Sequence, residues 1–469
     1  MTEQNSARVT ELDQNQLFDV VILGGGSGGY ACALRSAQLG KRVALIEQDK
    51  LGGTCLHRGC IPTKALLHSG EIADNTRDAA HFGVNAIFES IDMVAVNAYK
   101  DGVVSRLHKG LQGLVKSRNI TYVEGHGRLV ARDTVEVNGT RYTGKNVVLA
   151  TGSVPKSLPG LEIDGVHVIT SDHALTLDHI PTRAIILGGG VIGCEFASVW
   201  KSFGAEVTIV EALPHLVPAE EESSSKLLER AFRKRGINFE IGVKFSAHTI
   251  TGNVVKVTLE NGKELEGDVL LVAVGRGPLS EGLGYEEAGL KLDRGYLIVD
   301  EKCQTNIDGI YAVGDLIPTL QLAHVGFGEG ILVAEEIAGL NPAPINYPGV
   351  PRITYSEPEV ASVGLTSEQA RAKGFEIVEL TYDLAGNGKA QILRTAGAVK
   401  VIAQKDGPVL GIHMVGSRVG ELLAEAQLIF NWEAYASDVA PLIHAHPTLS
   451  EALGEAHLAL AGKPFHAHG

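Results

Sequence analysis

The sequence predicts an α/β protein of several domains, and three observations support this prediction. A glycine-rich turn stands between an apolar strand pattern and a helix pattern near the start of the chain. A second copy of the same arrangement occurs further along. The chain also has 469 residues, of which 44% are hydrophobic and 56 are glycine. A chain of this length can bury roughly two to four separate cores.

The first unit consists of a predicted strand at residues 18–23, a glycine turn, a helix pattern and a second strand that ends at Glu47. Gly24, Gly26 and Gly29 fit the pattern G-x-G-x-x-G. In this pattern the first glycine permits a tight turn, the second lets a pyrophosphate approach the backbone, and the third lets the helix pack on the strand. An acidic residue at the end of the second strand accepts hydrogen bonds from a ribose. The unit therefore predicts a dinucleotide site.

The second unit repeats this order with Gly188, Gly190 and Gly193, and its second strand ends at Glu211. Glu211 follows Gly188 by 23 positions, which is the spacing between the corresponding residues of the first unit. One such pattern is a weak signal, but two copies with an acid at the same offset are hard to obtain by chance. We therefore predict two Rossmann-like dinucleotide-binding domains. The carboxylate of Glu211 would repel the 2′-phosphate of NADP, which favours NAD.

The chain after each unit has a repeated order of a helix and alternating strands. Residues 97–117 have a helix pattern. Residues 120–149 alternate polar and apolar side chains, which predicts a small antiparallel meander. From about residue 347 the pattern changes to mixed strands and helices without a glycine fingerprint. We therefore expect a separate α+β C-terminal domain.

Cys55 and Cys60 stand five positions apart, shortly after the first glycine unit. Such a short loop gains little entropic stabilisation from a disulfide, which favours a reactive dithiol. A disulfide requires Cβ atoms about 3.8 Å apart, whereas neighbours on a regular helix face lie about 5–6 Å apart. If the pair opens a helix, a bridge must distort the backbone and is easily reduced. The alternatives are a metal half-site or two unrelated thiols, but the sequence offers no second cysteine–histidine pair at zinc spacing, and we predict no metal.

His446 and Glu451 form a second candidate site for chemistry. Pro447 suits the first turn of a helix, which would place His446 at the helix entrance. Glu451, about a turn later, could accept an imidazole N–H and strengthen the histidine as a base. A capping histidine beside a solvated glutamate is the alternative interpretation, and His444 is a rival base.

The composition argues against several other classes of function. The net charge of −14 disfavours nucleic acid as the main partner, because binding needs a concentrated basic face. No apolar run approaches the length of a membrane span. The five cysteines do not form a secreted disulfide framework, and residues 1–16 are polar without a signal pattern. We therefore expect a disordered tail at residues 1–16 and a cytoplasmic protein.

The stretch from Gly53 to Lys64, GTCLHRGCIPTK, resembles the active-disulfide motif of the flavin-dependent pyridine nucleotide–disulfide oxidoreductases. Within that family it is similar to the members that oxidise dihydrolipoamide. The resemblance runs from about Phe18 to the end of the chain and includes both glycine units, Gly314-Asp315 and the C-terminal histidine and acid. It implies two Rossmann-like domains, one for FAD and one for NAD, and then a C-terminal dimerisation domain.

The resemblance also implies how the chain is divided. The expected segments are a tail at 1–16, the first part of the FAD-binding domain at 17–152, the NAD-binding domain at 153–275, the second, central part of the FAD-binding domain at 276–346, and the interface domain at 347–469.

The functional residues implied by the resemblance are assigned by position. Those expected to bind FAD are Gly24, Gly26, Ser27, Gly28, Gly29, Glu47, Gly53, Thr54, Lys64, Thr151, Gly152, Asp315, Ala323 and His324. Those expected to bind NAD are Gly188, Gly190, Val191, Ile192, Gly193, Glu195, Glu211 and Gly275. The expected catalytic residues are Cys55, Cys60, His446, Glu451, Lys64 and Glu195.

The implied activity is the oxidation of dihydrolipoamide to lipoamide with NAD as the hydride acceptor. His446 of one subunit would deprotonate the substrate dithiol, and the thiolate would attack Cys55 of the other subunit. Cys60 would pass the electrons to FAD, and reduced FAD would transfer hydride to NAD. Lys64, near the flavin N5, would pair with Glu195 and tune the flavin. An ordinary buried ion pair is the alternative for these two residues.

The implied partners are a second copy of the chain in a homodimer, and lipoyl domains of 2-oxo acid dehydrogenase complexes or the glycine-cleavage carrier protein. The main alternative is a glutathione reductase-like enzyme, which usually prefers NADPH and carries basic residues just after the position of Glu211. A mercuric reductase would add a C-terminal cysteine pair, and a transhydrogenase would lack Cys60. A catalytically silent flavoprotein would lack the cysteines or His446.

The chain departs from many relatives inside the dithiol loop, where His57-Arg58 replaces Asn-Val. The sequence gives no direction for the effect on flavin potential or substrate access. The remaining cysteines, Cys32, Cys194 and Cys303, are expected to be packing residues.

Overall fold

The computed structural model describes residues 17–466 of the chain. The predicted tail at residues 1–16 lies outside the described residues. The described residues form two compact units, each made of several chain segments. The first unit contains residues 17–65, 98–156 and 276–347, and the second contains residues 66–97, 157–275 and 348–466.

The first compact unit is built on a seven-stranded sheet. In spatial order, six of its strands are Thr121–Glu124, Val43–Glu47, Leu17–Leu23, Thr140–Leu149, Thr134–Val137 and Gly127–Ala131. The seventh strand, Ile310–Ala312, comes from late in the chain and pairs in parallel with Thr140–Leu149. Val20, Val21 and Ile22 of the central strand are fully buried. Their continuous apolar run is typical of a parallel strand that is covered on both faces.

The predicted antiparallel meander over residues 120–149 is correct for three strands and wrong for a fourth. The correct strands are Gly127–Ala131, Thr134–Val137 and Thr140–Leu149. Thr121–Glu124 instead pairs in parallel with Val43–Glu47. The reason is that the long helix Met93–Ser117 precedes this strand, and a helical crossover returns the chain in the parallel direction.

Helices and two short strand pairs complete the first unit. The helices that lie wholly or partly in it are Ser27–Gln38, Gly53–Arg58, Cys60–Asp78, Met93–Ser117 and Ala323–Ile337. The short antiparallel pairs are Ser153–Pro155 with Arg276–Pro278, and Leu292–Asp293 with Tyr296–Leu297. A Cβ atom on Gly330 would overlap the carbonyl oxygen of Gly28. Glycine at this position therefore lets the helices Ser27–Gln38 and Ala323–Ile337 pack backbone against backbone.

The second unit contains one parallel sheet and two antiparallel sheets. The strands of the parallel sheet, in spatial order, are Ile237–Ile241, Glu206–Glu211, Arg183–Leu187, Val269–Val272 and Val168–Ile169. The three-stranded antiparallel sheet consists of Phe245–Thr251, Val254–Leu259 and Glu264–Gly267. The C-terminal antiparallel sheet has the order Arg352–Thr354, Glu359–Gly364, Val409–Gly416, Ala398–Gln404 and Ile377–Asp383.

The helices of the second unit flank these sheets. They are Ser171–Ala174, Val191–Phe203, Glu222–Arg235, Ser367–Ala372, Gly388–Leu393, Val419–Asn431, Ala436–Val439 and Glu451–Leu460. The 3₁₀ turns found among the described residues are Ala79–Phe82, Gly314–Leu316, Tyr347–Gly349 and Leu384–Gly386. Between residues 17 and 466, none of the helices is both long enough and apolar enough to cross a membrane. The predicted α/β class is confirmed.

Candidate active site

The first glycine unit has the geometry that phosphate binding requires. Gly24 has a φ of +109°, and a Cβ atom there would overlap the carbonyl oxygen of Ala150. A Cβ atom on Gly29 would overlap the carbonyl oxygen of Gly24. At Gly26, which caps the helix Ser27–Gln38, the nearest atom to a Cβ is 4.0 Å away. Two glycines therefore permit tight packing, and the third leaves space at a helix N-terminus, which fits a dinucleotide diphosphate.

Glu47, at the end of the first glycine unit, accepts a hydrogen bond from the glycine turn of that unit. Its Oε2 accepts a hydrogen bond of 2.7 Å from the backbone N–H of Gly25, and its Oε1 accepts one of 2.8 Å from Asp49. Burial raises the pKa of Glu47, and the backbone hydrogen bonds oppose this effect. The carboxylate thus orients the turn, and its predicted contact with a ribose stays a prediction.

The second glycine unit repeats this arrangement. Gly188 has a φ of +104°, and a Cβ atom on Gly193 would overlap the carbonyl oxygen of Gly188. Apart from its chain neighbours, no atom of residues 17–466 lies within 4 Å of a Cβ built on Gly190. Glu211, which is 8% exposed, accepts hydrogen bonds of 2.6 Å from the N–H of Gly189 and 2.8 Å from that of Leu213. The second unit therefore also fits a dinucleotide.

The two reactive cysteines lie on either side of a break between two helices. Cys55 is in the helix Gly53–Arg58, and Cys60 begins the helix Cys60–Asp78. Gly59 interrupts the helical path with a φ of −147° and a ψ of −112°. The cysteines therefore do not occupy one regular helix face.

Both side chains are thiols, and they contact each other. A hydrogen bond with Cys60 and burial raise the pKa of the Cys55 thiol, whereas the charge of Lys64 lowers it. This arrangement suits a dithiol that exchanges with a disulfide.

Lys64 and Glu195 lie in different units of the structure. Lys64 is in the helix Cys60–Asp78, and Glu195 is in the helix Val191–Phe203. Glu195 is 3% exposed, and its Oε1 accepts a hydrogen bond of 3.0 Å from the backbone N–H of Tyr355. The predicted pairing of the lysine with the glutamate stays a prediction.

Asp315 lies in the 3₁₀ turn that comes after the strand Ile310–Ala312. Its Oδ2 accepts a hydrogen bond of 2.5 Å from the hydroxyl of Ser153, and that hydroxyl accepts one of 2.8 Å from Nε of Arg276. The aspartate is thus oriented by a residue 162 positions away in sequence. Of the other predicted FAD residues in this unit, Thr151 donates a hydrogen bond of 2.6 Å to the carbonyl oxygen of Leu279.

Glu329 is a buried carboxylate that the sequence analysis missed. It is 0% exposed and accepts hydrogen bonds from the N–H of Gly314 at 2.6 Å, from Thr319 at 2.8 Å and from Tyr347 at 3.0 Å. Burial raises the pKa of Glu329. It lies in the helix that begins with the predicted residues Ala323 and His324. An acid within a helix of mostly apolar and small residues is the signal that could have identified it.

His446 is paired with Glu451 as predicted from their spacing, but the helix does not begin at Pro447. Nδ1 of His446 lies 2.9 Å from Oε1 of Glu451, and the helix Glu451–Leu460 starts at the glutamate. The hydroxyl of Thr448 donates to the carbonyl oxygen of Ala445 at 2.7 Å, which holds the preceding residues in a turn instead.

The geometry leaves the other nitrogen of His446 accessible. The histidine side chain is 76% exposed, whereas the Glu451 side chain is 23% exposed. Burial opposes ionisation of Glu451, but hydrogen bonds from Thr448 and His446 lower its pKa overall. A carboxylate that accepts Nδ1–H fixes the tautomer and leaves Nε2 as the proton acceptor.

His444, the rival base, is held by a different carboxylate. Its Nε2 lies 2.7 Å from Oε1 of Glu425, and its side chain is 12% exposed. The hydrogen bond with Glu425 raises the pKa of His444. A Cβ atom on Gly454 would come within 2.5 Å of the His444 ring. This ring is packed and engaged, so the geometry favours His446 as the base.

Comparison with protein families identifies the chain. A model described as pyridine nucleotide-disulphide oxidoreductase matches residues 18–330, and the model of the dimerisation domain of the same group matches residues 350–457. The chain belongs to the pyridine nucleotide–disulfide oxidoreductase family.

Relatives in this family cover nearly the whole chain. A dihydrolipoyl dehydrogenase of Bacillus subtilis is 42% identical over 96% of this chain and 99% of its own length. A mitochondrial dihydrolipoyl dehydrogenase of Pisum sativum is 40% identical over 96% of this chain and 92% of its own length. The crystal structure of LpdA from Mycobacterium tuberculosis matches with a TM-score of 0.88 and 28% identity, over 94% of this chain and 99% of that one.

Membership of the pyridine nucleotide–disulfide oxidoreductase family settles the class of enzyme and its cofactors. The predicted resemblance, the flavoprotein oxidoreductase class, and FAD and NAD as cofactors are confirmed. The predicted dimerisation domain is confirmed as well.

Proposed function

We propose that this protein oxidises dihydrolipoyl groups to lipoyl disulfides and reduces NAD⁺ to NADH. The observation that carries this proposal is the contacting thiol pair Cys55 and Cys60, next to the first of two dinucleotide-binding turns. The activity is the one in the names of the relatives from Bacillus subtilis and Pisum sativum, which match over almost their full length.

The residues of the chain account for the thiol half of the reaction. The imidazole of His446 removes the proton of one substrate thiol, because only the thiolate attacks a disulfide. That thiolate forms a bond with Sγ of Cys55, and the bond between Cys55 and Cys60 breaks. The second substrate sulfur then attacks the first, which closes the lipoyl disulfide and releases Cys55. The substrate has lost two electrons, and the cysteines have become a dithiol.

The cofactors would return the cysteines to the disulfide. Bound FAD would supply the acceptor for the electron pair and the donor of a hydride to NAD⁺. Residues proposed to hold FAD include the first glycine unit, Glu47, Thr54 and Asp315. The second glycine unit and Glu211 are proposed to hold NAD. Lys64 and Glu195 are proposed to tune the flavin. The remaining predicted FAD and NAD residues keep the roles assigned from the sequence.

We further propose a homodimer in which His446 of each subunit acts as the base at the Cys55–Cys60 pair of the other subunit. The dimerisation domain, which includes His446, supports this arrangement. Co-expression of Cys55→Ser chains with His446→Gln chains tests it. A mixed dimer then has one dithiol and one histidine intact on different chains, and it is active only if the histidine acts across the interface. Inactive mixed dimers would show that each chain uses its own histidine.

The proposed macromolecular partners are lipoyl domains of 2-oxo acid dehydrogenase complexes or the carrier protein of glycine cleavage. A reducing compartment such as the cytoplasm fits the five cysteines, none of which the structure joins in a disulfide between residues 17 and 466. Isolated lipoylated domains from each system, compared at equal concentration with free dihydrolipoamide, would show which one is the preferred substrate. The domain division predicted from the sequence is part of the same proposal.

Reduction of glutathione disulfide is the competing function, and the coenzyme separates the two. The carboxylate of Glu211 is buried against the second glycine turn, where it would face the 2′-phosphate of NADPH. We expect NAD⁺ reduction by dihydrolipoamide and no NADPH-dependent reduction of glutathione disulfide. Rapid turnover of glutathione disulfide with NADPH would contradict the proposal.

A further inference from the structure

The second glycine turn is held by a segment that has no part in the proposed chemistry. The carbonyl oxygen of Gly189 accepts a hydrogen bond of 2.7 Å from the backbone N–H of Val217. A Cβ atom on Gly189 would lie 2.5 Å from Cδ2 of Leu216. Leu216 is 0% exposed and Val217 is 2% exposed, so both residues belong to the core. The segment that follows Glu211 therefore fixes the middle glycine of the turn.

Val217 has a backbone conformation that valine rarely adopts. Its φ is +43°, in the left-handed region, where a β-branched side chain is strained. In the first glycine unit the equivalent hydrogen bond, to the carbonyl oxygen of Gly25, comes from Gly52, which has a φ of +109°. Glycine tolerates a positive φ, but valine keeps one only where the surrounding contacts impose it. The second turn therefore depends on contacts that hold the segment around Val217.

The helix Glu222–Arg235 supplies the first of these contacts. Oε1 of Glu229 accepts a hydrogen bond of 3.1 Å from the backbone N–H of Leu216, and Glu229 is 6% exposed. The N–H of Glu220, just before the helix, donates a hydrogen bond of 2.9 Å to the carbonyl oxygen of Val217. The positions of Leu216 and Val217 thus depend on the position of this helix.

The start of that helix is fixed by charged groups that are mostly buried. Glu221, which immediately precedes the helix, is 6% exposed. Its Oε1 accepts a hydrogen bond of 2.8 Å from Nζ of Lys400, and its Oε2 accepts one of 2.8 Å from the backbone N–H of Ser367. Burial opposes ionisation of Glu221, but the hydrogen bonds from Lys400 and Ser367 lower its pKa overall. A charged carboxylate therefore joins the helix to the C-terminal sheet, in which Lys400 lies.

Lys400 contacts two carboxylates at once. Its Nζ lies 2.8 Å from Oε1 of Glu221 and 3.1 Å from Oε2 of Glu379, and its side chain is 13% exposed. The hydroxyl of Ser367 lies 2.6 Å from Oε2 of Glu379 and 3.3 Å from Oε1 of Glu221. Without Lys400, the two carboxylates would share this hydroxyl with no lysine between them. A buried carboxylate that loses its cation is strongly unfavourable, so Lys400 stabilises the start of the helix on the sheet.

We propose that Glu221 and Lys400 are positioning residues for the second glycine turn, and that the C-terminal sheet thereby contributes to the affinity for NAD. The inference rests on the proposed function, because it assigns NAD to this turn. Neither side chain is proposed to touch the dinucleotide. The contacts form a continuous series, which runs through Lys400, Glu221, Glu229, Leu216, Val217 and Gly189.

The test is the dissociation constant of NAD⁺ for the purified, oxidised holoenzyme, measured by isothermal titration. Lys400→Met should raise this constant about three- to tenfold, because the segment that holds Gly189 is then less firmly fixed. Glu221→Gln should raise it less, because glutamine can still accept the hydrogen bond from Ser367 and Lys400 can still pair with Glu379. If Lys400→Met does not fold, Glu221→Gln gives the same comparison.

Hydrogen exchange provides a readout that does not depend on the reaction. The amide of Val217 is hydrogen-bonded to Gly189, so the peptide with residues 212–221 should exchange slowly in the unchanged protein and faster in Lys400→Met. In contrast, the reduction of the bound flavin by dihydrolipoamide in the absence of NAD⁺ should stay within about twofold, because the series of contacts includes no residue of the dithiol.

Two control variants lie close to Lys400 in sequence. Lys405 pairs with Glu376, and their side chains are 53% and 73% exposed, so Lys405→Met should leave NAD⁺ affinity within about twofold. Val401, the residue after Lys400 on the same strand, is 0% exposed and points to the opposite face of the sheet. Val401→Ala should lower the urea concentration at which the protein unfolds, because it leaves a cavity, but should not weaken NAD⁺ binding.

The outcomes separate this inference from the function on which it rests. Gly190→Ala, at the open position of the turn, is the reference for lost NAD⁺ binding. If Gly190→Ala weakens binding but Lys400→Met and Glu221→Gln do not, the inference is wrong and the proposed function stands. A loss in Val401→Ala or Lys405→Met as large as in Lys400→Met would also overturn the inference. Unchanged binding in Gly190→Ala would overturn the assignment of NAD to this turn, and the inference with it.

Discussion

The two glycine units of this chain share a backbone design but differ in the segment that packs against the turn. In each glycine unit a carboxylate, Glu47 or Glu211, accepts two backbone hydrogen bonds. One oxygen binds the N–H of the second glycine of the turn, and the other binds the N–H of the residue two positions after the glutamate. In the first unit, Gly53 of the dithiol helix approaches the turn so closely that its Cβ would lie 2.6 Å from Cα of Gly26. A Cβ atom built on Gly26 has Cα of Gly53 at 4.0 Å, whereas one built on Gly190, the equivalent residue of the second glycine unit, has no atom of the described residues within 4 Å apart from its chain neighbours.

This difference indicates why two copies of one binding unit can have different roles, with a reaction at only one of them. Both copies have the turn, the helix and the acid that are proposed to bind a dinucleotide. Only the first copy precedes a helix with a reactive thiol that begins against the turn, within the part of the chain that the structure describes. We infer that the second unit supplies binding alone, and that the dithiol segment after the first unit supplies the reaction.

Removal of the nucleophile should abolish the reaction but leave NADH binding intact. The loss of turnover is the largest effect that we expect. Cys55→Ser should reduce dihydrolipoamide-dependent NAD⁺ reduction on the order of 10³-fold or more, since a group that acts as the nucleophile cannot be replaced by its neighbours. NADH affinity, measured by fluorescence titration, should remain within about twofold, because the second unit contains no part of the dithiol. The matched control is Cys194→Ser in the second unit, where serine can still donate to the carbonyl oxygen of Gly189.

Retained turnover in Cys55→Ser would contradict the dithiol mechanism. A large loss of activity in Cys194→Ser would show that the second unit contributes more than binding.

Removal of the base should have the next largest effect. His446→Gln should lower kcat for dihydrolipoamide by about 10²–10⁴-fold, because the substrate thiol then loses its proton acceptor. His444→Gln is the comparison variant, and it should cause a smaller loss, because His444 is engaged with Glu425. A larger effect at His444 would reverse the assignment of the base.

Substitutions at two glycines of the second turn should have different effects, one on ligand binding and the other on stability. Gly190→Ala should weaken NADH binding about tenfold, or about 1.4 kcal/mol, because its Cβ occupies the open space of the turn without touching the protein. Gly193→Ala should instead destabilise the fold by about 1–3 kcal/mol, because its Cβ overlaps the carbonyl oxygen of Gly188. Isothermal titration and urea unfolding of both variants test this contrast. Unchanged NADH affinity in Gly190→Ala would mean that the diphosphate binds elsewhere.

The sequence was sufficient to predict features that depend on short spacings. The tight turns at Gly24 and Gly188, the strand ends at Glu47 and Glu211, and the contact between His446 and Glu451 each depend on a local segment with its own periodicity or offset. The parallel sheets result from the same strand, turn and helix order.

Features that depend on distant segments were not predictable in this way. The hydrogen bond from Ser153 to Asp315 joins residues 162 positions apart, and it forms only because the strand Ile310–Ala312 returns to the first sheet. The three donors to Glu329 come from separate positions along the chain. Pro447 was placed in a helix because proline favours first turns, but the hydrogen bonds of Thr448 give the chain a competing turn.

The smallest expected effect concerns the acid of the first unit and its dependence on pH. Burial raises the pKa of Glu47 above its unfolded value, so the folded protein binds more protons at this site than the unfolded chain. Its contribution to stability is therefore fully present below the unfolded pKa and declines as pH rises through the folded pKa. Glu47→Gln, which cannot ionise, should lack this decline, although it weakens the bonds to the turn. Urea unfolding of both proteins between about pH 4 and pH 7 measures the difference in slope, and parallel pH dependences would show that the hydrogen bonds from Gly25 and Asp49 fully compensate the burial of this carboxylate.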